Sequence, residues 1–223
     1  MYKVDFPGNS ISREMPDVDI INRILAGEKN LYAILVHRYN QRLYRVGFSI
    51  INDDRDVEDA MQLAYIKAYE NLGKFSFKAD FSTWLTRILI NECFSILRKR
   101  KHSIKLNGNM VESEMHHPHV TDTTTPAVKL MNAELKVILE QAILALPEKY
   151  RTVFIMREIE SMNIAETKAC LQISGINVKV RLNRAKALLR KSLNAFYIKE
   201  EIFSFHLIRC NSVVSRVLER IGV

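Results

Sequence analysis

Asp56-Val57-Glu58-Asp59-Ala60-Met61-Gln62-Leu63-Ala64-Tyr65-Ile66-Lys67-Ala68-Tyr69-Glu70-Asn71-Leu72 decides the fold class, because its apolar residues recur at helical and not at alternating spacing. At about 100° per residue, Val57, Ala60, Met61, Ala64, Ala68 and Leu72 fall on one face, as a core requires. The opposite face carries Asp56, Asp59 and Glu70, with Gln62 at its edge. It also carries Leu63 and Ile66, two aliphatic side chains among carboxylates where water is expected. A small apolar spot ringed by acids has the anatomy of a docking surface for a basic partner. Acids crowd the first turn of this helix (Asp53, Asp54, Asp56, Glu58 and Asp59 against a single Arg55), which suits the positive end of the helix dipole.

Working outward, the same periodicity continues in both directions. After Pro16, with Asp17 or Asp19 as a cap, Ile20, Ile21, Ile24 and Leu25 form one side of a short helix that stops near Gly27. Asn30 is positioned to cap the next, with Leu31, Ile34, Leu35, Tyr39, Leu43 and Val46 at helical spacing. Ser82 is a cap for a fourth helix running to about Lys101. From His102 to Thr125 the periodicity fails in a polar stretch with Gly108, Pro118 and a run of threonines, which reads as a flexible linker. Helical patterning resumes near Ala127 and continues to the end, and no stretch alternates for more than a few residues. The expected architecture is all-α: two small helical domains at 17–103 and 135–194, a linker at 104–134, and a helical extension at 195–223.

Two further segments carry chemistry. Lys74-Phe75-Ser76-Phe77-Lys78-Ala79-Asp80-Phe81 interleaves aromatics with lysines, and Trp84, Arg87, Asn91, Ser95 and Arg98 follow along one face of the fourth helix. Aromatic planes stack on unpaired bases, basic groups meet phosphates, and an amide reads a base edge, so this surface suits melted DNA. Near the end, Asn163 to Leu171, a turn through Gln172, Ile173 and Ser174, and a helix from Gly175 with core face Val178, Leu182, Ala185 and Leu189 have helix-turn-helix spacing. The outer faces of that last helix hold Asn177, Lys179, Arg181, Asn183, Arg184, Lys186, Arg190 and Lys191, and no acid occurs between Glu166 and Glu200. Insertion into a major groove with phosphates on either side fits this pattern.

The whole-chain numbers agree. In 223 residues, 33 Lys and Arg against 25 Asp and Glu give a net charge of +8, which favours nucleic acid once its segregation is seen. Only 7 Gly and 5 Pro exclude collagen-like chains, and 48% apolar residues exclude wholesale disorder. Cys93, Cys170 and Cys210 are an odd set without metal-type or disulfide spacing, as a reducing compartment predicts. No apolar run approaches the ~18 residues of a membrane span, and the N-terminus lacks the apolar core of a signal peptide, so a cytoplasmic location without membrane insertion is expected. No side-chain set has catalytic spacing and no Gly-rich loop is suited to phosphates, so neither enzyme activity nor a cofactor is expected.

On these motifs the chain resembles the extracytoplasmic-function group of bacterial RNA polymerase sigma factors. The resemblance covers roughly residues 17–101 and 135–193 and is most specific at 56–69, 81–91, 146–150 and 178–185. It implies that Asp56, Asp59, Gln62, Leu63 and Ile66 dock on the clamp helices of the largest polymerase subunit. It implies that Phe75, Phe77, Lys78, Phe81, Trp84, Arg87, Asn91 and Arg98 hold the melted minus-ten element. Asn177, Lys179, Val180, Arg181, Arg184 and Lys186 would then read the minus-thirty-five element. An anti-sigma factor is the further partner the resemblance implies. Two departures stand out: Ser76-Phe77 replaces the Arg-Gly common in the family, and Val180 replaces a Ser. The rival from another class is a stand-alone helix-turn-helix regulator that never joins polymerase; it leaves Leu63, Ile66 and the aromatic loop without purpose. His116, His117 and His119 are weak metal candidates. Phe203, Leu207, Cys210, Val214, Val217 and Ile221 form a stripe that suits either a brace on the last domain or a regulatory helix.

Overall fold

Pro16 has no N–H to leave unsatisfied, and its carbonyl accepts from Asp19 N (3.1 Å) and Ile20 N (3.2 Å) to start α1 (Asp17–Leu25). The computed structural model describes residues 15–107 and 126–196, with side chains described for 15–102 and 135–194. Neither Asp17 nor Asp19 is therefore the expected cap, since both lie inside the first turn; the Asp17 carboxylate instead accepts from Arg38 and Tyr39 and ties α1 to the next helix. Gly27, at φ +114°, makes the turn that a side chain would strain. A single 3-10 turn (Lys29–Leu31), which contains Asn30, then leads into α2 (Tyr32–Ile51). Asn52 closes α2 in the left-handed conformation (φ 57°), and the Asp53 carboxylate accepts from Asp56 N at 3.1 Å to cap α3 (Asp54–Glu70). After a second 3-10 turn (Leu72–Lys74) comes α4 (Phe81–Asn107). Its first turn hangs on the carbonyl of Asp80, so Ser82 lies inside the helix and not at its cap.

These helices share one core. Leu35, Leu43, Val46 and Ile50 of α2 meet Val57, Ala60, Ala64 and Ala68 of α3 and Leu85, Leu89 and Cys93 of α4, all buried. Small residues allow the close spacing: a Cβ added at Gly47 would lie 3.2 Å from Val57 Cγ1, tight enough that Val57 would have to shift by a few tenths of an ångström.

The second group comprises α5 (Pro126–Leu144), α6 (Glu148–Phe154) running on into a π turn (Ile155–Ile159), α7 (Ile164–Leu171) and α8 (Gly175–Phe196). Asn163 and Glu166 form a reciprocal capping box on α7 (2.6 and 2.9 Å), and Gln172, at φ 53°, turns the chain toward α8. Ala142, Ile143 and Leu146 pack on Ala185 and Leu189. Helix α4 runs past the expected boundary to Asn107, and α5 starts at Pro126, so helix occupies both ends of the stretch read as linker. The metal candidates at 116–119 and the stripe from Phe203 lie outside the described residues.

The packing of the two groups against each other was not legible in the sequence. Met156, Met162 and Cys170 are buried in the same cluster as the α2–α4 core. Arg151 of α6 is buried and donates from Nε to the Ser49 carbonyl (2.7 Å) and from Nη1 to the Leu144 carbonyl (2.8 Å). Burial holds that guanidinium's pKa below its ordinary value, against the pull of Glu148. Ser49 Oγ meets Thr152 Oγ1 at 3.3 Å, and Cys170 Sγ donates to the Thr83 carbonyl at 3.4 Å. At the rim Arg42 and Arg45 pair with Glu160 at 3.4 and 3.0 Å. Beyond Leu85, Leu89 and Cys93, which face its own core, helix α4 also buries Thr83, Thr86 and Ile90, and its Thr83 carbonyl meets Cys170 of the last domain.

Candidate nucleic-acid interface and docking face

On α3 the outward face is as the wheel predicted. Leu63 is 43% and Ile66 54% exposed, with Asp59, Gln62 and Glu70 exposed around them. Asp56 is half-buried and pairs with Arg100 Nη1 of α4 at 3.4 Å, so the last turns of α4 hold down one end of the acidic rim. In the sequence Arg100 belongs to a basic cluster toward the end of α4 and gives no sign of this ion pair, because the partner is supplied by packing and not by spacing.

The aromatic loop divides into support and surface. Phe75 and Phe81 are buried, which corrects their reading as base-stacking groups; their rings lie 5.1 and 5.7 Å from the Trp84 ring and fix its position. Phe77 is exposed and packs 4.8 Å from Phe75. Its backbone is left-handed (φ 55°), a conformation that costs a bulky residue about 1–2 kcal/mol and glycine almost nothing. This is the position where the resembled family commonly has glycine, so Phe77 keeps the backbone of that loop while adding a ring. Trp84 is half-exposed, and Lys78, Arg87, Asn91 and Arg98 are exposed. A cavity of about 390 Å³ lies against Trp84 and Asn91, walled by Lys67, Asn71, Lys74, Ile88 and Glu92, with Lys67 Nζ paired to Glu92 Oε1 at 2.7 Å. Aromatic, amide and cationic groups therefore converge on one concave site.

In the helix-turn-helix, Val178, Ala185 and Leu189 of α8 face inward, and Asn177, Lys179, Val180, Arg184 and Lys186 are exposed, with Arg181 half-buried. Ser174 Oγ accepts from Asn177 N at 3.2 Å and caps the helix. Two of the expected DNA contacts are braced from α6 and the π turn: Arg184 donates to Tyr150 Oη at 3.2 Å, and Lys186 pairs with Glu158 at 2.9 Å. The Arg184 hydrogen bond, helped by Lys149 over the Tyr150 ring at 5.1 Å, holds the phenol pKa below its ordinary value. Ile176, 75% exposed on this helix, was missed by a reading that searched the outer face for charge.

Residues 35–103 match Sigma-70 region 2 and residues 136–189 match Sigma-70, region 4. The ECF RNA polymerase sigma factor SigW of Bacillus subtilis is 32% identical over 176 residues, spanning 78% of this chain and 94% of that one. The chain belongs to the extracytoplasmic-function sigma factors. The RNA polymerase sigma-H factor of Pseudomonas aeruginosa is 27% identical over 180 residues, 79% of this chain and 93% of its own. Two solved structures share the fold. One is the sigma factor RpoE of Bartonella quintana in complex with the anti-sigma factor NepR (TM-score 0.60, 22% identity, 71% of this chain and 94% of that one). The other is CnrH in complex with the cytosolic domain of CnrY (TM-score 0.54, 23% identity, 80% and 97%). As a sigma factor the chain directs RNA polymerase to promoters, and the stand-alone regulator is not favoured. Among the described residues no helix is long and apolar enough to cross a membrane.

Proposed function

We propose that this sigma factor divides promoter recognition among three surfaces. Leu63 and Ile66, rimmed by Asp56, Asp59 and Gln62, dock on core polymerase. Phe77, Lys78, Trp84, Arg87, Asn91 and Arg98, backed by Phe75 and Phe81, capture unpaired bases and their phosphates as the minus-ten element opens. Helix α8, with Asn177, Lys179, Val180, Arg181, Arg184 and Lys186, reads the minus-thirty-five element. The functional units are 17–103 and 135–194. The factor works in the cytoplasm and is not itself an enzyme: polymerase supplies the chemistry, and the factor supplies binding energy that favours melted over paired DNA. An anti-sigma protein is the natural antagonist, since the RpoE relative of Bartonella quintana is held in a complex with the anti-sigma factor NepR.

The packed arrangement is a resting state. The two elements lie about 25 base pairs apart, or ~85 Å of duplex at ~3.4 Å per step. A globule of about 165 residues has a radius of gyration of ~15 Å and a diameter near ~40 Å, too small to touch both. The Arg151 and Glu160 contacts must therefore break before the last domain reaches its element, after which the tether raises the effective concentration of the second contact.

The observation that carries this reading is the exposure of Leu63 and Ile66 among carboxylates on a helix whose other face is buried. Leu63→Asp with Ile66→Asp leaves that core untouched and adds charge to the docking spot. Core polymerase should be retained by the wild-type chain and lost by the double variant; equal retention removes the docking face.

A further inference from the structure

The outermost line of the recognition helix is apolar. At about 100° per residue, Val178, Ala185 and Leu189 define the buried side of α8, and over residues 175–190 Ile176, Val180 and Ala187 fall within ~20° of the opposite direction, with the polar Asn183 and Lys191 ~40° to either side of that line. Ile176 is 75% and Val180 40% exposed. The basic residues flank this crest: Lys179, Lys186 and Arg190 on one side, Arg181 and Arg184 on the other. Ile176 stands in the first turn, where the Ser174 cap fixes the backbone and where recognition helices touch base edges. An apolar crest between two cationic rails matches one ligand surface closely. The rails meet the phosphates on either side of a major groove, and the only apolar group on that groove's floor is the thymine C5-methyl. A protein partner for the crest would have to place acids against both rails; duplex DNA presents them already.

We propose that Ile176 and Val180 read thymine methyl groups in the upstream promoter element, so that this factor selects A·T pairs there by apolar contact and not by side-chain hydrogen bonds. Ile176 is thereby a specificity-determining residue, and the replacement of Ser by Val180 belongs to the same device. The inference rests on the reading of α8 as the upstream-element reader.

The test uses the complete chain assembled with core polymerase. Promoter fragments are selected from a library randomised in the upstream element, and each selected thymine is then replaced by deoxyuridine, which removes only the methyl. Wild-type holoenzyme should bind uracil DNA about fourfold more weakly per contacted methyl, the ratio that ~0.8 kcal/mol per buried methyl gives. Ile176→Ala and Val180→Ala, both exposed helix positions that tolerate alanine, should each bring the thymine-to-uracil ratio at one position to about one. Lys179→Ala, acting on phosphate, should weaken both DNAs alike and leave the ratio unchanged. Equal wild-type binding of thymine and uracil DNA overturns the proposal. So does an unchanged ratio in both alanine variants, which would assign the crest to a protein. If selection enriches no upstream element at all, the reader assignment of α8 falls and the inference with it.

Discussion

Glu160 offers the cleanest handle on the packed state, because its carboxylate bonds across the domain boundary to Arg42 and Arg45 and caps nothing within its own domain. Glu160→Gln keeps the shape and removes the charge. The carboxylate side chain is only 8% exposed, which strengthens its bonds, whereas Arg42 and Arg45 are 28% and 45% exposed, which weakens them. A charge-assisted hydrogen bond contributes ~1.5–3 kcal/mol when shielded and a solvated pair ~0.2–1 kcal/mol, so about 1–3 kcal/mol is expected for the two together. That shifts the packed-to-separated ratio about 5- to 150-fold toward separation. Resonance energy transfer between dyes on exposed positions of α3 and α8 would read the change directly. The low-transfer population should grow in Glu160→Gln, and salt should enlarge it in the wild type by screening the same pairs. If the distance distribution is the same for wild type and variant at every salt concentration, the rim ion pairs do not hold the domains together and the resting-state argument fails.

Other expectations follow from single residues. Trp84→Ala and Asn91→Ala should impair melting of the minus-ten element more than duplex binding, seen as lost permanganate reactivity of unpaired thymines; normal reactivity in both removes the capture surface. Phe77→Gly should relieve about 1–2 kcal/mol of backbone strain, partly offset by the lost ring contact with Phe75, yet weaken binding of single-stranded minus-ten DNA. A variant that melts higher and binds that strand as well as wild type would show that the ring serves no base. Burial pushes the Cys93 and Cys170 thiols up to about 12, so at pH 8 both should resist alkylation. Opening should release Cys170, which faces Thr83 across the boundary, and leave Cys93 protected in its own core. Alkylation of Glu160→Gln followed by mass spectrometry should therefore find Cys170 modified first.

The helices were legible because each buries a face at helical spacing, and the α3 wheel placed even the two misplaced aliphatics correctly. The contact between the domains was not, since Ser49, Thr83 and Thr152 are small and polar and add no apolar periodicity, and an arginine such as Arg151 gives no local sign of burial. Nothing local to Arg151 announces a partner carbonyl about a hundred positions away. The aromatic loop was half legible. Composition marked the stacking surface, but the split between Phe75 and Phe81 inside and Phe77 outside depends on a left-handed backbone at a residue that seldom adopts one. Ile176 escaped because a search for charge passes over an apolar side chain, even one that is 75% exposed.

The central claim is that this chain gives polymerase a promoter preference that neither has alone. Transcription by core polymerase from a randomised promoter library, with and without the chain, tests it most directly. Defined start sites sharing a minus-ten and a minus-thirty-five element should appear only when both are present. Sequence-specific DNA binding by the chain alone, with no start sites added by polymerase, would contradict the account.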